Sequence, residues 1–271
     1  MRISLCNEVV AALPFVEQAR LAAALGYDGL EVAPFTLEAE APHLLPARRR
    51  AELRRIAREE GAPITSLHWL LLAPAGLSIT SGDTALRTRT LDVMQRLVGL
   101  AADLGASLLV HGSPKQRLLA ADGDAARAEE AMAQAGAWAA QHGMTYCLEP
   151  LDAGQTNWAS TVAEAVEIVA RIASPGLKTM LDVSATGNGE TAPAAELLRH
   201  FVPTGWIAHV HLNDRNRRGP GQGADRFGPV LTALREARYP GFCAVEPFDY
   251  HPDGATCAAR AIGYLRGILE S

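Results

Sequence analysis

One alternation runs the length of this 271-residue chain. A short β-rich apolar run gives way to a turn, then to an Ala/Leu/Arg/Glu segment with helical periodicity, then to Gly or Pro before the next run. The unit recurs about every 30 residues, the length of a strand with its crossover helix. Strands are expected at Arg2–Cys6, Gly29–Ala33, Ile64–Trp69, Ser107–Gly112, Met144–Glu149, Lys178–Val183, Ile207–Leu212 and Gly241–Glu246. Helices are expected near Pro14–Leu25, Pro46–Glu60, Thr84–Leu104, Ala125–Gln141, Thr161–Ile172, Ala192–His200, Phe227–Ala237 and Thr256–Ile268. Their composition suits helix propensity, and an apolar face on each covers the outside of a sheet. Gly26, Gly61, Gly105 and Gly143 follow the early helices, where a left-handed helix end turns the chain into the next strand. Eight such units close a barrel, so the expected class is α/β, a single (β/α)8 TIM barrel over residues 1–271. An open doubly wound sheet shares the alternation, but it needs a switch point, and no GxGxxG follows the first strand.

Composition narrows the partners. A net charge of −5 gives no general attraction to a phosphate backbone or anionic lipid, so nucleic acid is not expected. The apolar stretch Leu67–Ala75 is broken by His68 and Pro74 and falls far short of the ~20 residues of a membrane span. MRISLC lacks the apolar core and cleavage site of a secretory leader. Cys6, Cys147, Cys243 and Cys257 are widely separated without a CxxC, which suits buried thiols in a reducing compartment, and a cytoplasmic location is expected.

The chemistry-bearing residues stand at the ends of apolar runs. Glu149 in YCLEP, Asp182 in TMLDV, His211 in HVHLND and Glu246 in CAVEPF follow or end the last four expected strands, which meet around one quadrant of a barrel mouth. Singly, each suits a helix cap or a salt bridge. Together, three carboxylates in apolar surroundings call for a divalent cation or a tightly bound polar ligand. Three oxygens and one imidazole suit Mn²⁺ or Mg²⁺, with Co²⁺ and Zn²⁺ as further options, better than a thiolate-rich zinc site. No nucleotide-binding glycine loop is present, and no organic cofactor is expected. Other candidates for binding a substrate are His68 and Trp69 in SLHW, His111 and Lys115 beside Arg117 in HGSPKQR, and Asn157 in LDAGQTNW. Each also has an ordinary structural reading as packing, turn cap or solvated charge. Glu31, Asn7, Glu8, Asp214 and His251 read as supporting partners or solvated groups. Pro74–Asp83 and Asn216–Asp225 are candidate lids at strand ends.

LEP at Leu148–Pro150, LD at Leu181–Asp182, HVHLNDRNR at His209–Arg217 and VEPF at Val245–Phe248 occur in an order that resembles the xylose-isomerase-like TIM-barrel superfamily, in particular its sugar epimerase and hydroxypyruvate isomerase branch. The resemblance spans almost the whole chain. It implies metal ligation by Glu149, Asp182, His211 and Glu246, with His209 as a competing imidazole that the HLND register disfavours. It also implies an acid/base pair in Glu149 and Glu246, and substrate binding by Arg217. The implied activity is a divalent-metal-dependent isomerase or epimerase acting on a ketose, sugar phosphate or related hydroxy-keto acid through a cis-enediolate. A small hydroxylated carbonyl substrate and association as a homo-oligomer are expected. Two positions depart from the ketose-epimerase pattern: Ala185 replaces a histidine three residues beyond the metal aspartate, and Gln155 replaces an acid six beyond the first glutamate. Altered substrate contacts are expected from these. The alternatives are a metal-dependent sugar-acid dehydratase, a non-catalytic sugar-binding protein and, more weakly, a zinc-dependent abasic-site endonuclease.

Overall fold

The computed structural model describes residues 1–271. Eight strands, all parallel, close into one barrel in sequence order: β1 (Arg2–Cys6), β2 (Gly29–Val32), β3 (Ile64–Leu67), β4 (Leu108–His111), β5 (Thr145–Leu148), β6 (Leu177–Asp182), β7 (Ile207–Leu212) and β8 (Phe242–Val245). The seam joins β1 to β8, with Ser4 opposite Ala244 and Leu5 opposite Val245. The helices are α1 (Phe15–Leu25), α2 (Ala47–Glu59), α3 (Thr84–Leu104), α4 (Asp124–Gln141), α5 (Val162–Ile172), α6 (Val183–Gly189), α7 (Ala194–Phe201), α8 (Gly228–Glu236) and α9 (Gly254–Glu270). This is the single (β/α)8 barrel the alternation predicts. Gly26 and Gly105 end α1 and α3 with φ of 90° and 85°, as expected of left-handed helix ends.

Two local differences bear on the site. β3 stops at Leu67, which leaves His68 and Trp69 just beyond the strand, and Trp69 has φ of 52°. The short helix α6 was not expected, since VSATGNG has weak helix propensity. Asp182 holds it: its Oδ1 accepts a hydrogen bond from the Ala185 amide at 2.6 Å.

The main core lies between barrel and helices, a continuous cluster of 66 buried apolar residues. A separate small cluster of Leu108, Val110, Cys147 and Met180 comes from residues on the other face of β4, β5 and β6. Strand alternation then aims Glu149, two residues after Cys147, and Asp182, two after Met180, to the inside of the mouth. Register shifts at Leu30/Glu31 and Thr179/Met180 fall beside the site. All four cysteines are free and buried, and no helix is long and apolar enough to cross a membrane.

Candidate active site

The last four strands deliver the expected donors to one point. Glu149 follows β5, Asp182 ends β6, His211 lies in β7 and Glu246 follows β8. All four are buried, and each offers a ligand atom within 4.8 Å of the others. His211 Nδ1 points among three carboxylates, 2.8 Å from Glu246 Oε2, 3.3 Å from Glu149 Oε1 and 3.8 Å from Asp182 Oδ2, yet is aligned for a hydrogen bond with none of them. A buried nitrogen without an aligned partner, inside a cage of carboxylate oxygens, fits a divalent cation.

The electrostatics agree. Burial pushes Asp182 up to about 7, reinforced by the charges of Glu149 and Glu246. Burial opposes the charged form of Glu246 as well, but His211 and His68 outweigh it and hold that carboxyl at about 2. Burial likewise opposes charge on His211, and Glu246 and Glu31 outweigh it, keeping the imidazole cationic well above its ordinary range. A divalent cation bound among these groups would compete with the protons on Asp182 and His211.

A second layer of polar groups fixes the donors. Glu31, fully buried at the end of β2, reaches His211 Nε2 at 2.7 Å with one oxygen and His209 Nε2 at 2.8 Å with the other. The Ser66 hydroxyl also donates to it. This fixes which nitrogen of His211 faces the cluster and gives His209 a role beside it, not in it. Asn213 Nδ2 donates to Asp182 Oδ2 at 2.7 Å. Arg117, fully buried, donates to the Glu149 carbonyl at 2.6 Å, and burial lowers its guanidinium to about 10. Gly112 leaves the space that Glu149 fills, for a Cβ there would lie 2.1 Å from Glu149 Oε2.

The donors open onto a cleft of about 260 Å³ whose wall includes His68, Trp69, Gln155, Ala185, Arg217 and Phe248. Arg217, at φ of 71°, carries its guanidinium 5.3 Å from the Phe248 ring centroid, and Trp69 meets the same ring edge-on at 6.2 Å. Three expected contacts lie elsewhere. His111 is out of phase with Val110 and Gly112, so it faces the helix layer, where Nδ1 pairs with the Tyr146 hydroxyl at 2.8 Å. Burial lowers its pKa to about 3, so this imidazole is neutral. Lys115 is exposed and outside the cleft wall. Asn157 clamps the backbone of Leu119 through both ends of its amide, at 2.9 and 2.8 Å. Of the two candidate lids, Asn216–Asp225 contributes Arg217 to the wall and Pro74–Asp83 contributes nothing.

The barrel and its mouth place the molecule in a defined class: the chain belongs to the xylose isomerase-like TIM barrel family, whose profile matches residues 19–268. Within it, the chain is similar to sugar epimerases. It is 26% identical over 246 residues to the D-psicose 3-epimerase of Agrobacterium fabrum, covering 87% of this chain and 78% of that one. It is 24% identical over 265 residues to the fructoselysine 3-epimerase of Escherichia coli, covering 95% and 94%. Among solved structures, a D-psicose 3-epimerase crystallised with D-fructose superposes with a TM-score of 0.84 at 21% identity over 100% of both chains. The 3-keto-D-glucoside 4-epimerase of E. coli gives 0.83 at 22% identity, covering 98% of this chain and 99% of that one. At these identities the structural likeness speaks to the fold.

Proposed function

We propose that the protein is a divalent-metal-dependent ketose epimerase, with Mn²⁺ or Mg²⁺ held by Glu149, Asp182, His211 and Glu246. The observation that carries this reading is the convergence of those four buried donors at the cleft floor in a chain whose relatives are ketose 3-epimerases. A bound divalent cation supplies a Lewis acid for the carbonyl and hydroxyl oxygens of an α-hydroxy ketone. Glu149 and Glu246 both line the cleft and come from strands separated by β6 and β7, so they approach a substrate from different sides. One takes the carbon-bound proton to give the cis-enediolate, and the other returns a proton on the opposite face of the same carbon. Arg217 orients a substrate hydroxyl through its directional N–H groups, while Trp69 and Phe248 cover the apolar face of the sugar.

Charge favours an unphosphorylated ketose. Glu149, Asp152, Asp182 and Glu246 line the cleft against a single guanidinium, and a divalent ion leaves that balance short of positive charge for a phosphate. Ala185 and Gln155 both lie in the wall, and they leave the substrate without the imidazole and carboxylate that the family pattern places there.

The test is solvent hydrogen exchange into a panel of ketoses with Mn²⁺ supplied. Metal-dependent exchange at one carbon, without change of product mass, is expected, and Glu246→Gln is expected to lower its rate by about 10²–10⁴-fold. Absence of exchange across the panel, or a product lighter by one water, would overturn the assignment.

A further inference from the structure

We infer that Glu8 and His68 are positioning residues for Glu246, forming a carboxylate–imidazole–carboxylate strut that selects which Glu246 oxygen faces the donor cluster. The inference rests on the metal centre proposed above. His68 Nδ1 lies 2.9 Å from Glu246 Oε1, and His68 Nε2 lies 2.9 Å from Glu8 Oε2. Both ring nitrogens are thus engaged by carboxylates. The imidazole lines the cleft, but no polar atom remains for a sugar hydroxyl, which reassigns a residue the sequence suggested for substrate binding.

The geometry gives the strut its purpose. With Oε1 tied to His68, Oε2 is the oxygen turned toward His211 Nδ1, 2.8 Å away. The ring also meets His211 edge-on, with centroids 5.9 Å apart, so it braces two donors at once. An imidazole bonded at both nitrogens in a buried place cannot turn about its bond to Cβ without abandoning a charged partner. Glu8 is the outer anchor: its side chain is only 9% exposed, it does not line the cleft, and it follows β1 just across the seam from Glu246. The strut therefore links three chain segments, the ends of β1, β3 and β8. A different use of the same atoms is geometrically open, since Cys6, Glu8, His68 and Glu246 also offer ligand atoms within 4.8 Å of one another. A second ion there would have to take one ring nitrogen from the carboxylate that now holds it.

Calorimetric Mn²⁺ titration of the unloaded full-length protein separates these cases. Glu8→Ala and His68→Ala are each expected to weaken Mn²⁺ binding by about 10–100-fold. The double variant should bind no more weakly than His68→Ala, because Glu8 acts only through the imidazole. Glu8→Gln, which keeps an acceptor oxygen for the ring, should recover most of the affinity. In turnover, the loss should fall on kcat with KM held. Melting of the unloaded variants checks folding, and if either alanine variant does not melt cooperatively, Glu8→Gln and His68→Gln carry the comparison. Wild-type affinity in Glu8→Ala, or losses that add fully in the double variant, would overturn the strut. So would uptake of a second Co²⁺ with a near-ultraviolet thiolate charge-transfer band that disappears in Cys6→Ala, since Glu8 would then be a ligand. A wild-type protein that binds no divalent ion overturns the metal centre itself, and the strut with it.

Discussion

Gly112 sets the room in which Glu149 stands. The atom a Cβ would strike is the free end of the Glu149 carboxylate, not backbone. Gly112→Ala is therefore expected to spare the fold and move the acid. Mn²⁺ affinity measured by calorimetry should fall at least about tenfold, ~1.4 kcal/mol, with the melting temperature of the unloaded protein held within about 4 °C. Glu31 works in the opposite way, because it carries little direct chemistry and much support. It faces two imidazoles at 2.7 and 2.8 Å in a fully buried place, so Glu31→Gln leaves buried charge uncompensated. Denaturant unfolding should report a loss of about 3–5 kcal/mol. The four donors were legible because an acid or imidazole at the end of an apolar run is out of place without a partner. Glu31 has the same signature in GLEV, but its partners lie far along the chain, and nothing local says that a barrel closes between them. His111 was misassigned for a plainer reason. SLLVHG is apolar on both faces, so it carries no alternation from which to read which way the imidazole points.

Among the elements, α6 is the one that carries a departure from the ketose-epimerase pattern into the cleft wall. It starts at the residue after Asp182, and the Asp182 carboxylate both caps it and serves the donor cluster. Its first turn brings Ala185 into the cleft wall. Ala185→His places an imidazole where the ketose-epimerase pattern has one, and kcat/KM for psicose or tagatose is expected to rise several-fold relative to other ketoses, about the effect of one added hydrogen bond. α3 serves as the control. Asp83 accepts from the Ala85 and Leu86 amides at its start and is not part of the cleft wall. Asp83→Ala should cost about 1 kcal/mol in denaturant unfolding and leave Mn²⁺ affinity unchanged. α3 was readable to its last residue from a long run of helix formers closed by Gly105. α6 was not readable, because its stability comes from the site that it caps and not from its own sequence.

For the molecule as a whole, the proposed metal centre would make ion binding, protonation and stability one linked equilibrium. Asp182 has a carboxyl raised to about 7, so in the metal-free protein its contribution to stability is complete at low pH and is lost as pH rises through that value. An ion in its place reverses the sign. Mn²⁺ affinity should therefore climb between about pH 6 and about pH 8, with protons released on binding, as calorimetry in buffers of different ionisation enthalpy would detect. Thermal melting should shift upward with free Mn²⁺ and fall back on chelation, by about 2.7 kcal/mol when the ion is at a hundred times its dissociation constant. The barrel as a class was readable from its eightfold rhythm, whereas the network beneath the mouth was not, since it depends on distances across the interior. The seam between β1 and β8 adds a matter of timing. Glu149, Asp182 and His211 leave the ribosome before Glu246, and Glu8 waits from the outset for a neighbour that is made almost last. On the metal centre proposed above, a growing chain owns an incomplete set of ligands until its final strand docks beside its first, and uptake of an ion would belong to the closing act of folding.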